Sequence, residues 1–332
     1  MKSSFAQPCT ERGGSPGPPQ NCVRVLFVGG CGRSGSTLLD RILGQIPGLW
    51  SVGEIVHIWR RGVGDNQLCG CGEAFRTCPF WTRVGEEAFG GWDSVDNAAM
   101  LRLQNRVDRH RYVPLMIAPW LSRRYRRDLE RYAAQLTKLY AAIQKVSGAH
   151  MIVDSTKHAS YAFLLRNVDG LDLRIAHLAR DPRGVAYSWT KQVAKPEVTN
   201  RTEFMPQYSP ARMSARWVVY NLLFHLLRLT GTRSVFVRYE SLVRRPRRET
   251  ARILALAEAV DRPDFGFIQD GTVELGPTHT VAGNPMRFKQ GRLSLRLDEE
   301  WRRAMPSTQR VLVAAVTWPL MWLYGYRVRG RG

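Results

Sequence analysis

The sequence predicts an α/β protein: a parallel sheet flanked by helices, in a single domain with a helical cap insertion. The first observation is the stretch at 23–47, "VRVLFVGGCGRSGSTLLDRILGQIP", which runs from an apolar segment through a glycine-rich turn into an amphipathic segment. The second is a series of apolar, strand-like runs separated by helical patterns, at 150–153, 173–179 and 234–238. This alternation is typical of parallel sheets, which bind ligands at the carboxyl ends of their strands.

The length and composition of the chain indicate how it divides. With 332 residues and 44% hydrophobic content, the chain can bury a large core. Residues 1–21 are rich in Gly, Pro, Ser and Gln and have no apolar period, so they are predicted to form a disordered tail. No repeat or strong linker divides residues 22–330, which are predicted to be one domain. Residues 60–150 show helical spacing and are predicted to form a cap that helps to hold the acceptor.

The chain is strongly basic. Its formal net charge is +21, from 49 Lys and Arg against 28 Asp and Glu, which favours anionic partners. No zinc-finger, helix-turn-helix or RNA-recognition signature accompanies this charge, so we predict no nucleic-acid partner. A basic protein that binds membranes or nucleic acid without catalysis is kept as an alternative.

The longest apolar run lies near the C-terminus, at 311–326. It is broken by Pro319 and is shorter than the roughly 20 residues that a membrane-spanning helix needs. We predict a docked C-terminal helix, and Trp318, Trp322 and the flanking arginines leave peripheral membrane contact open. Because no apolar segment typical of a signal peptide follows Lys2, a cytoplasmic location is predicted.

Three of the six cysteines cluster in the stretch "CGCGEAFRTCPFW". Cys69, Cys71 and Cys78 have C-x-C-x6-C spacing. Three thiolates suit zinc, but no fourth ligand lies within the stretch. A local disulfide and a buried thiol cluster are the alternatives, and we predict no metal.

The glycine-rich turn is predicted to bind an anion. Residues 25–28 are typical of a buried strand, and leucines and isoleucines recur at helical spacing from 38 to 46, so the turn lies between a strand end and a helix N-terminus. Compared with the loop G-x-x-x-x-G-K-[ST], the stretch 30–37 is P-loop-like but has Ser36 in place of the lysine. Arg33 supplies the positive charge instead, which favours an anionic nucleotide other than ATP or GTP.

A second anion site is predicted in "LRIAHLARDPRGVAYSW". A strand ends at Arg180, Asp181 is suited to cap the next helix, and Pro182 suits its first position. Arg180 and Ser188 are then expected to face the same crevice and to offer a cation and a hydroxyl to one phosphate. In the alternative, Arg180 pairs with Asp181 or with a surface carboxylate.

Three motifs, in this order along the chain, resemble a known family. "GRSGSTLL", "RDPRGVAYSW" and "VFVRYESLVRRP" are similar to those of the sulfotransferases that use 3′-phosphoadenosine-5′-phosphosulfate as donor and release adenosine 3′,5′-bisphosphate, over about residues 23–330. The resemblance implies that Arg180 and Ser188 hold the 3′-phosphate. The loop residues that it implies for the 5′-phosphosulfate end are Arg33, Ser34, Gly35, Ser36 and Thr37.

A further donor contact is expected near the C-terminus. "HTVAGNPMRFKQG", at 279–291, looks like the segment that closes over the nucleotide in bacterial branches of this family. Asn284, Arg287 and Lys289 are therefore candidates for a flap on the donor. A solvated basic loop is the alternative.

The catalytic base is expected shortly after the first helix. Gly53–Glu54 in "LWSVGEIVHIW" resembles a Gly-Glu pair of the tyrosylprotein branch of the family, whose glutamate is the base. Glu54 is thus the preferred base, with His57 and His158 as rivals. A carboxylate paired with a neighbouring arginine is the alternative.

Two cations are expected to assist the transfer. Lys157 lies in "VDSTKHAS", where the tyrosylprotein branch has a lysine in an Asn-Lys pair, and its ammonium would stabilise the leaving oxygen; a surface lysine at a helix start is the alternative. Arg33 would supply compensating charge from the first loop. No metal is required, because arginines, lysine and helix N-termini supply that charge.

The acceptor is predicted only as a class. We expect a hydroxyl of a small metabolite, sugar, lipid-linked molecule or phenol, in a pocket built from residues 55–145 and 191–216. A P-loop kinase with an altered loop is kept as the alternative enzyme. Nothing in the sequence indicates the oligomeric state.

Overall fold

The computed structural model describes residues 22–194, 203–260 and 263–327; the predicted disordered tail at 1–21 lies outside them. The strands are β1 (Val23–Gly29), β2 (Leu49–Gly53), β3 (Met151–Lys157), β4 (Leu171–Ala179), β5 (Ser234–Arg238), β6 (Ile268–Gln269), β7 (Thr272–Leu275) and β8 (Gly291–Ser294). The helices are α1 (Ser36–Leu43), α2 (Pro79–Phe89), α3 (Asn97–Val107), α4 (Val113–Ile117), α5 (Arg123–Ser147), α6 (Ala159–Leu165), α7 (Pro182–Ser188), α8 (Pro210–Leu229), α9 (Tyr239–Arg244), α10 (Pro246–Ala257), α11 (Trp301–Ala304) and α12 (Ser307–Leu323).

The centre of the fold is a five-stranded sheet in the order β2-β3-β1-β4-β5. All of its neighbouring strands are parallel, and helices connect them. The predicted α/β class is therefore confirmed, and the four predicted strands are β1, β3, β4 and β5. The edge strand β2 was not predicted. A separate antiparallel sheet, β6-β7-β8, was not predicted either.

The central sheet is buried on both faces, as the run of apolar residues in β1 requires. Val25 and Phe27 point into a core covered by α5 and α6, whereas Leu26 and Val28 point into a core covered by α1 and α10. Successive side chains of a strand alternate between faces, so a strand that is apolar at every position fits only the middle of such a sandwich.

The region predicted as a cap, residues 60–150, is mostly helical. Its longest helix, α5, packs on α2 and α3 and faces the sheet through the first of the two cores. A π-helical turn at Ile58–Gly64 precedes these helices. The role of this region as an acceptor cap stays a prediction.

The segment that follows β7 returns to the first helix. Arg41 of α1 is fully buried, and its guanidinium donates hydrogen bonds to the carbonyl oxygens of Gly276, at 2.6 Å, and of Lys289, at 2.8 Å. It also donates to the carbonyl of Arg287. A buried cation that donates to three carbonyls fixes the segment 276–289 against α1, beside the end of the glycine-rich loop.

The apolar run at 311–326 forms α12, as predicted, and packs against α7 and α8. Thr317 and Met321 face the interior, whereas Trp318 is 60% exposed and Trp322 is 79% exposed. Among the described residues, no helix has the length and apolar character that crossing a membrane requires.

Candidate active site

The glycine-rich loop joins the carboxyl end of β1 to α1. Gly35 has φ +91° at the N-cap of α1, and a Cβ there would lie 2.5 Å from the ring of Tyr239, so this position requires glycine. No side chain caps the helix. The first N–H groups of α1 are therefore available to an anion, together with the positive end of the helix dipole.

A cleft of about 530 Å³ opens at the carboxyl ends of the strands, beside this loop. The candidate residues that line it are Arg33, Gly35, Ser36, Thr37, Glu54, Lys157, Arg180, Ser188 and Asn284, together with the rival bases His57 and His158. Of the described residues around it, six are Arg or Lys and two are Glu or Asp. The cleft is thus suited to a polyanionic ligand.

Arg33 crosses one wall of the cleft. Its backbone has φ +70°, a conformation that is uncommon outside glycine and that clusters at functional sites. Its guanidinium lies 5.1 Å from the ring centre of Trp189 and 3.0 Å from the sulfur of Met205. The indole N–H of Trp189 donates to the carbonyl of Gly32 at 3.1 Å. The tryptophan therefore supports both the loop and its arginine.

Glu54 and Lys157 form an ion pair in the cleft. Lys157 Nζ donates to Glu54 Oε1, and His57 Nε2 lies 3.5 Å from Glu54 Oε2. Burial raises the pKa of Glu54, but the Lys157 ammonium and the hydrogen bond with His57 outweigh it and hold the pKa well below its usual range. The carboxylate is therefore ionised at neutral pH. It is paired with a lysine, whereas the alternative stated from the sequence was a pair with an arginine.

The end of β3 aims Lys157 at this carboxylate. Lys157 has φ +70°, again in the left-handed region. Thr156 accepts a hydrogen bond from the N–H of Val56 at 3.2 Å, which joins the strand end to the segment carrying Glu54. Asp154 accepts from the N–H of Thr156 at 2.9 Å and from the hydroxyl of Tyr140 at 2.5 Å. These contacts fix the backbone from which the lysine extends.

The two rival bases adjoin the same pair. The rings of His57 and His158 lie 5.9 Å apart, edge to face. Burial is the main cause that lowers the pKa of His57, and it lowers the pKa of His158 further, so both imidazoles are neutral at pH 7. The geometry brings all three candidate bases together.

Arg180 lies at the carboxyl end of β4, as predicted. Its guanidinium is 3.0 Å from Asp298 Oδ2, donates to the carbonyl of Arg33 at 3.2 Å, and stacks over Tyr239. Of the two alternative partners, Asp181 instead pairs with Arg183 at 2.7 Å. The other alternative, a carboxylate at the surface, is present as Asp298, whose side chain is partly exposed. Asp181 also caps α7 by accepting from the backbone N–H of Arg183, which confirms the predicted cap.

Three candidate residues, Ser34, Arg287 and Lys289, do not line the cleft. Arg287 is 1% exposed and donates to the carbonyls of Thr280, at 2.7 Å, and Leu68, at 2.8 Å, so it anchors the backbone and does not face a donor. Ser34 is also 1% exposed, and its N–H donates to the carbonyl of Cys31. The structure therefore contradicts the predicted donor contact of Arg287 and that of the Ser34 side chain.

Asn284 and its neighbour Gly283 lie at the cleft. Asn284 lines it and caps the short turn Pro285–Phe288 by accepting from the N–H of Met286. At Gly283, an added Cβ would lie 3.5 Å from Glu54 Oε1. The segment 276–289 thus passes close to the catalytic candidate.

Several residues of the cleft were not predicted from the sequence. They include Arg61, Trp189, Tyr208, Arg216, Tyr220, Arg296 and Asp298. Arg216 donates to the hydroxyl of Tyr220 at 2.9 Å, and both belong to α8. Their spacing of four residues on one helix face was the available signal. Arg61 is the only described residue between 60 and 150 that lines the cleft.

Comparison with known proteins agrees with the motifs. The sequence profile of the Sulfotransferase family matches residues 26–261. No curated protein matches the sequence. Among solved structures, the chain is similar to the sulfotransferase domain from the Synechococcus PCC 7002 olefin synthase, with 19% identity, coverage of 93% of this chain and 97% of that chain, and a TM-score of 0.49.

Two further structures are similar at lower identity. The sulfotransferase domain from the curacin biosynthetic pathway is 15% identical, with 93% of this chain and 100% of that chain covered and a TM-score of 0.49. A sulfotransferase from Mycobacterium avium is 13% identical, with 93% and 79% covered and a TM-score of 0.43. Because the family profile spans most of the sequence and includes the glycine-rich loop, Glu54, Lys157 and Arg180, this chain belongs to the sulfotransferase family.

Proposed function

We propose that this protein transfers the sulfuryl group of 3′-phosphoadenosine-5′-phosphosulfate to a hydroxyl acceptor. The observation that carries the proposal is the Glu54–Lys157 ion pair, buried in a cationic cleft next to the N-terminus of α1. A carboxylate and an ammonium within contact of each other supply the two groups that the reaction needs: one to take a proton and one to neutralise a leaving oxygen.

The transfer would proceed in line at sulfur. The acceptor oxygen forms a bond to sulfur, the bond from sulfur to the 5′-phosphate oxygen breaks, and the acceptor proton passes to Glu54. A carboxylate with a strongly depressed pKa is a weak base. If the Lys157 ammonium turns toward the leaving oxygen, Glu54 loses its main stabilising charge and becomes more basic at the moment when it must accept the proton.

Two separate anion sites favour this donor over a nucleoside triphosphate. The loop and α1 offer backbone N–H groups at one place, and Arg180 and Ser188 line the cleft from the ends of β4 and α7. A donor phosphorylated at both its 3′ and 5′ positions uses both sites, whereas a triphosphate needs one cradle. Titration calorimetry should therefore detect adenosine 3′,5′-bisphosphate binding much tighter than ATP; the reverse order would favour the kinase alternative.

The first prediction concerns the 3′-phosphate. Arg180→Ala should weaken bisphosphate binding by about 1.5–3 kcal/mol, because it removes a charged hydrogen bond, and Ser188→Ala by about 1 kcal/mol. Calorimetry measures both. Asp298→Asn should instead strengthen bisphosphate binding, since the Asp298 carboxylate lies 3.0 Å from the Arg180 guanidinium and competes with the phosphate for it.

The matched control for these variants is Arg24→Ala. Arg24 lies near the amino end of β1, at the end of the sheet opposite the cleft, where it donates a hydrogen bond to the carbonyl of Glu258. This variant should bind the bisphosphate like the parent. Unchanged affinity in both Arg180→Ala and Ser188→Ala, with melting temperatures that show folded protein, would remove the 3′-phosphate assignment.

The acceptor is proposed as a hydroxyl of a small metabolite, sugar, lipid-linked molecule or phenol. Tyr208, Tyr220 and Met205 line the cleft near Arg216 and supply apolar and aromatic surface beside the charged groups. A screen of hydroxyl compounds with isotopically labelled sulfate donor, read by mass spectrometry, tests this class. Transfer of label to such a compound supports the proposal, and label found only on amines or phosphates would contradict it.

A membrane-peripheral position in the cytoplasm is the location that we propose. Trp318 and Trp322 of α12 are exposed, and so are Leu222 and Leu226 of α8, the helix against which α12 packs. Exposed aromatic and aliphatic side chains on a basic protein are suited to an anionic bilayer surface.

The second prediction tests that location. The protein should co-sediment with vesicles that contain anionic phospholipid, and the double variant Trp318→Ala/Trp322→Ala should lose most of this binding. Trp120→Ala is the matched control, because Trp120 is 58% exposed but lies outside α12. Equal vesicle binding by all three proteins would rule out the α12 surface.

A further inference from the structure

The structure brings a fourth side chain to the cysteine cluster. His279 follows Cys78 by 201 positions, and its Nδ1 lies 3.2 Å from Cys78 Sγ and 3.8 Å from Cys69 Sγ. The Cys78 sulfur is 3.6 Å from that of Cys69 and 3.7 Å from that of Cys71. All four potential ligand atoms lie within 4.8 Å of one another. The expectation of no metal rested on the lack of a fourth ligand within the cysteine stretch, and His279 removes that basis.

We propose that Cys69, Cys71, Cys78 and His279 bind one zinc ion in a structural site. In a tetrahedral site with zinc–sulfur bonds of about 2.3 Å and zinc–nitrogen bonds of about 2.05 Å, neighbouring sulfurs lie about 3.75 Å apart and sulfur and nitrogen about 3.55 Å apart. Two sulfur–sulfur distances of 3.6 and 3.7 Å, and two sulfur–nitrogen distances of 3.2 and 3.8 Å, lie within about 0.4 Å of that geometry, and the remaining pairs are at most 4.8 Å apart.

Backbone N–H groups lie close to the sulfurs of the cluster. The N–H groups of Cys71, Glu73 and Trp81 approach the sulfurs of Cys69, Cys71 and Cys78 respectively. N–H donors that point at sulfur orient the ligands and offset their negative charge when a metal is bound. These three cysteines, like Cys31, are free thiols in the structure.

The histidine is held by its neighbours. Its ring stacks on Phe80, with centroids 5.2 Å apart, and on Trp50, with centroids 5.9 Å apart. Cys69 and Cys78 are fully buried. Cys71 and His279 are half-buried. Three sulfurs and one imidazole nitrogen complete a tetrahedron and leave no position for water or substrate, which is typical of structural zinc.

The ion would join two parts of the chain that meet at the active site. The Cys69–Cys78 loop also contacts the segment 276–289 through the N–H of Gly70, which donates to the carbonyl of Thr280 at 3.0 Å. That segment carries Gly283 beside Glu54 and Asn284 in the cleft. Zinc would therefore hold one wall of the cleft without entering the reaction, so the inference stands independently of the proposed donor and acceptor.

The test is the metal content of the tag-free protein, purified without chelators from cells grown with added zinc. Elemental analysis should find about one zinc per chain in the parent. His279→Gln and Cys71→Ser should lose most of it, and Cys31→Ser, the control at a buried cysteine outside the cluster, should keep it. Cobalt substituted into the parent should show a thiolate charge-transfer band and the intense visible bands of tetrahedral coordination.

The parent protein alone can also decide the question, in case a variant fails to fold. Three thiols should resist alkylation until a chelator or denaturant is added, after which they should react. The proposal would be overturned if the parent protein contained no metal, or a metal other than zinc. It would also be overturned by full zinc content in a folded His279→Gln variant, or by a disulfide between any two of the three cysteines.

Discussion

Glu54→Gln should lower kcat by about 10²–10⁴-fold for an acceptor whose hydroxyl is un-ionised, because the variant keeps the size of the side chain but cannot take the proton. Affinity for adenosine 3′,5′-bisphosphate should barely change, since the carboxylate acts on the acceptor. Steady-state kinetics and calorimetry on the same preparations measure the two effects. The comparison separates loss of the base from loss of donor binding.

The choice of acceptor tests whether the loss of activity in Glu54→Gln comes from the loss of a base. A nitrophenol that is already ionised at the assay pH needs no base, so it should restore much of the activity of Glu54→Gln. His57→Asn and His158→Asn are the controls, because both rings are neutral and adjoin Glu54. If Glu54→Gln turns over an un-ionised hydroxyl at near the parent rate, the base lies elsewhere, and the histidine variant with the larger loss identifies it.

Lys157→Ala should lower kcat on the order of 10²–10³-fold, because the ammonium acts on charge that develops mainly on the leaving oxygen in the transition state. An ionised nitrophenol should restore little of this loss, since the leaving group is the same. Rapid-quench measurement of the chemical step distinguishes it from slow product release. A full rescue by the ionised acceptor would contradict the role assigned to Lys157.

The same variant should move the pH profile in a defined direction. In the parent, Lys157 helps to hold the pKa of Glu54 far below its usual range, so the basic form of Glu54 persists to very low pH. Without the ammonium, burial raises that pKa. As pH falls, Lys157→Ala should therefore lose kcat/KM at a higher pH than the parent does. Lys157→Arg should partly restore the kcat/KM that the parent keeps at low pH.

Backbone strain at position 157 needs its own control. The φ of +70° disfavours alanine, whereas asparagine tolerates this region. Lys157→Asn should therefore be at least as stable to heat as Lys157→Ala while having the same defect in kcat. This comparison separates the charge of the side chain from the conformation of the main chain.

Local patterns in the sequence predicted the parts of the fold that depend on local chemistry. The run at 25–28, the glycine-rich turn and the amphipathic segment after it determine β1, the loop and α1, because apolar period and glycine spacing act over a few residues. The five-residue strand β2 directly follows a helix stop and has no clear alternation. Its pairing with β3, more than 90 residues away, makes it a strand.

The parts of the site that the sequence did not reveal depend on distant pairs. Asp298 reaches Arg180 from 118 residues away, and His279 reaches Cys78 from 201. Arg287 resembled a donor contact by its position in a basic segment, but only its carbonyl acceptors showed that it is an anchor. Charge and spacing indicate which residue types are present, whereas the packing of separate segments decides which of them face the cleft.

The anchoring of the segment 276–289 by Arg41 has a consequence for how the protein reaches its native state. The hydrogen bonds from Arg41 to the carbonyls of Gly276 and Lys289 span 235 and 248 residues. Closing loops of this length costs entropy before any contact compensates for it, and chains rich in such contacts fold slowly. The central sheet can assemble from nearer pairings, so catalytic competence should be acquired last, when the segment 276–289 docks. During synthesis the nascent chain would then carry an almost complete central sheet with no working catalytic centre until this segment has emerged from the ribosome.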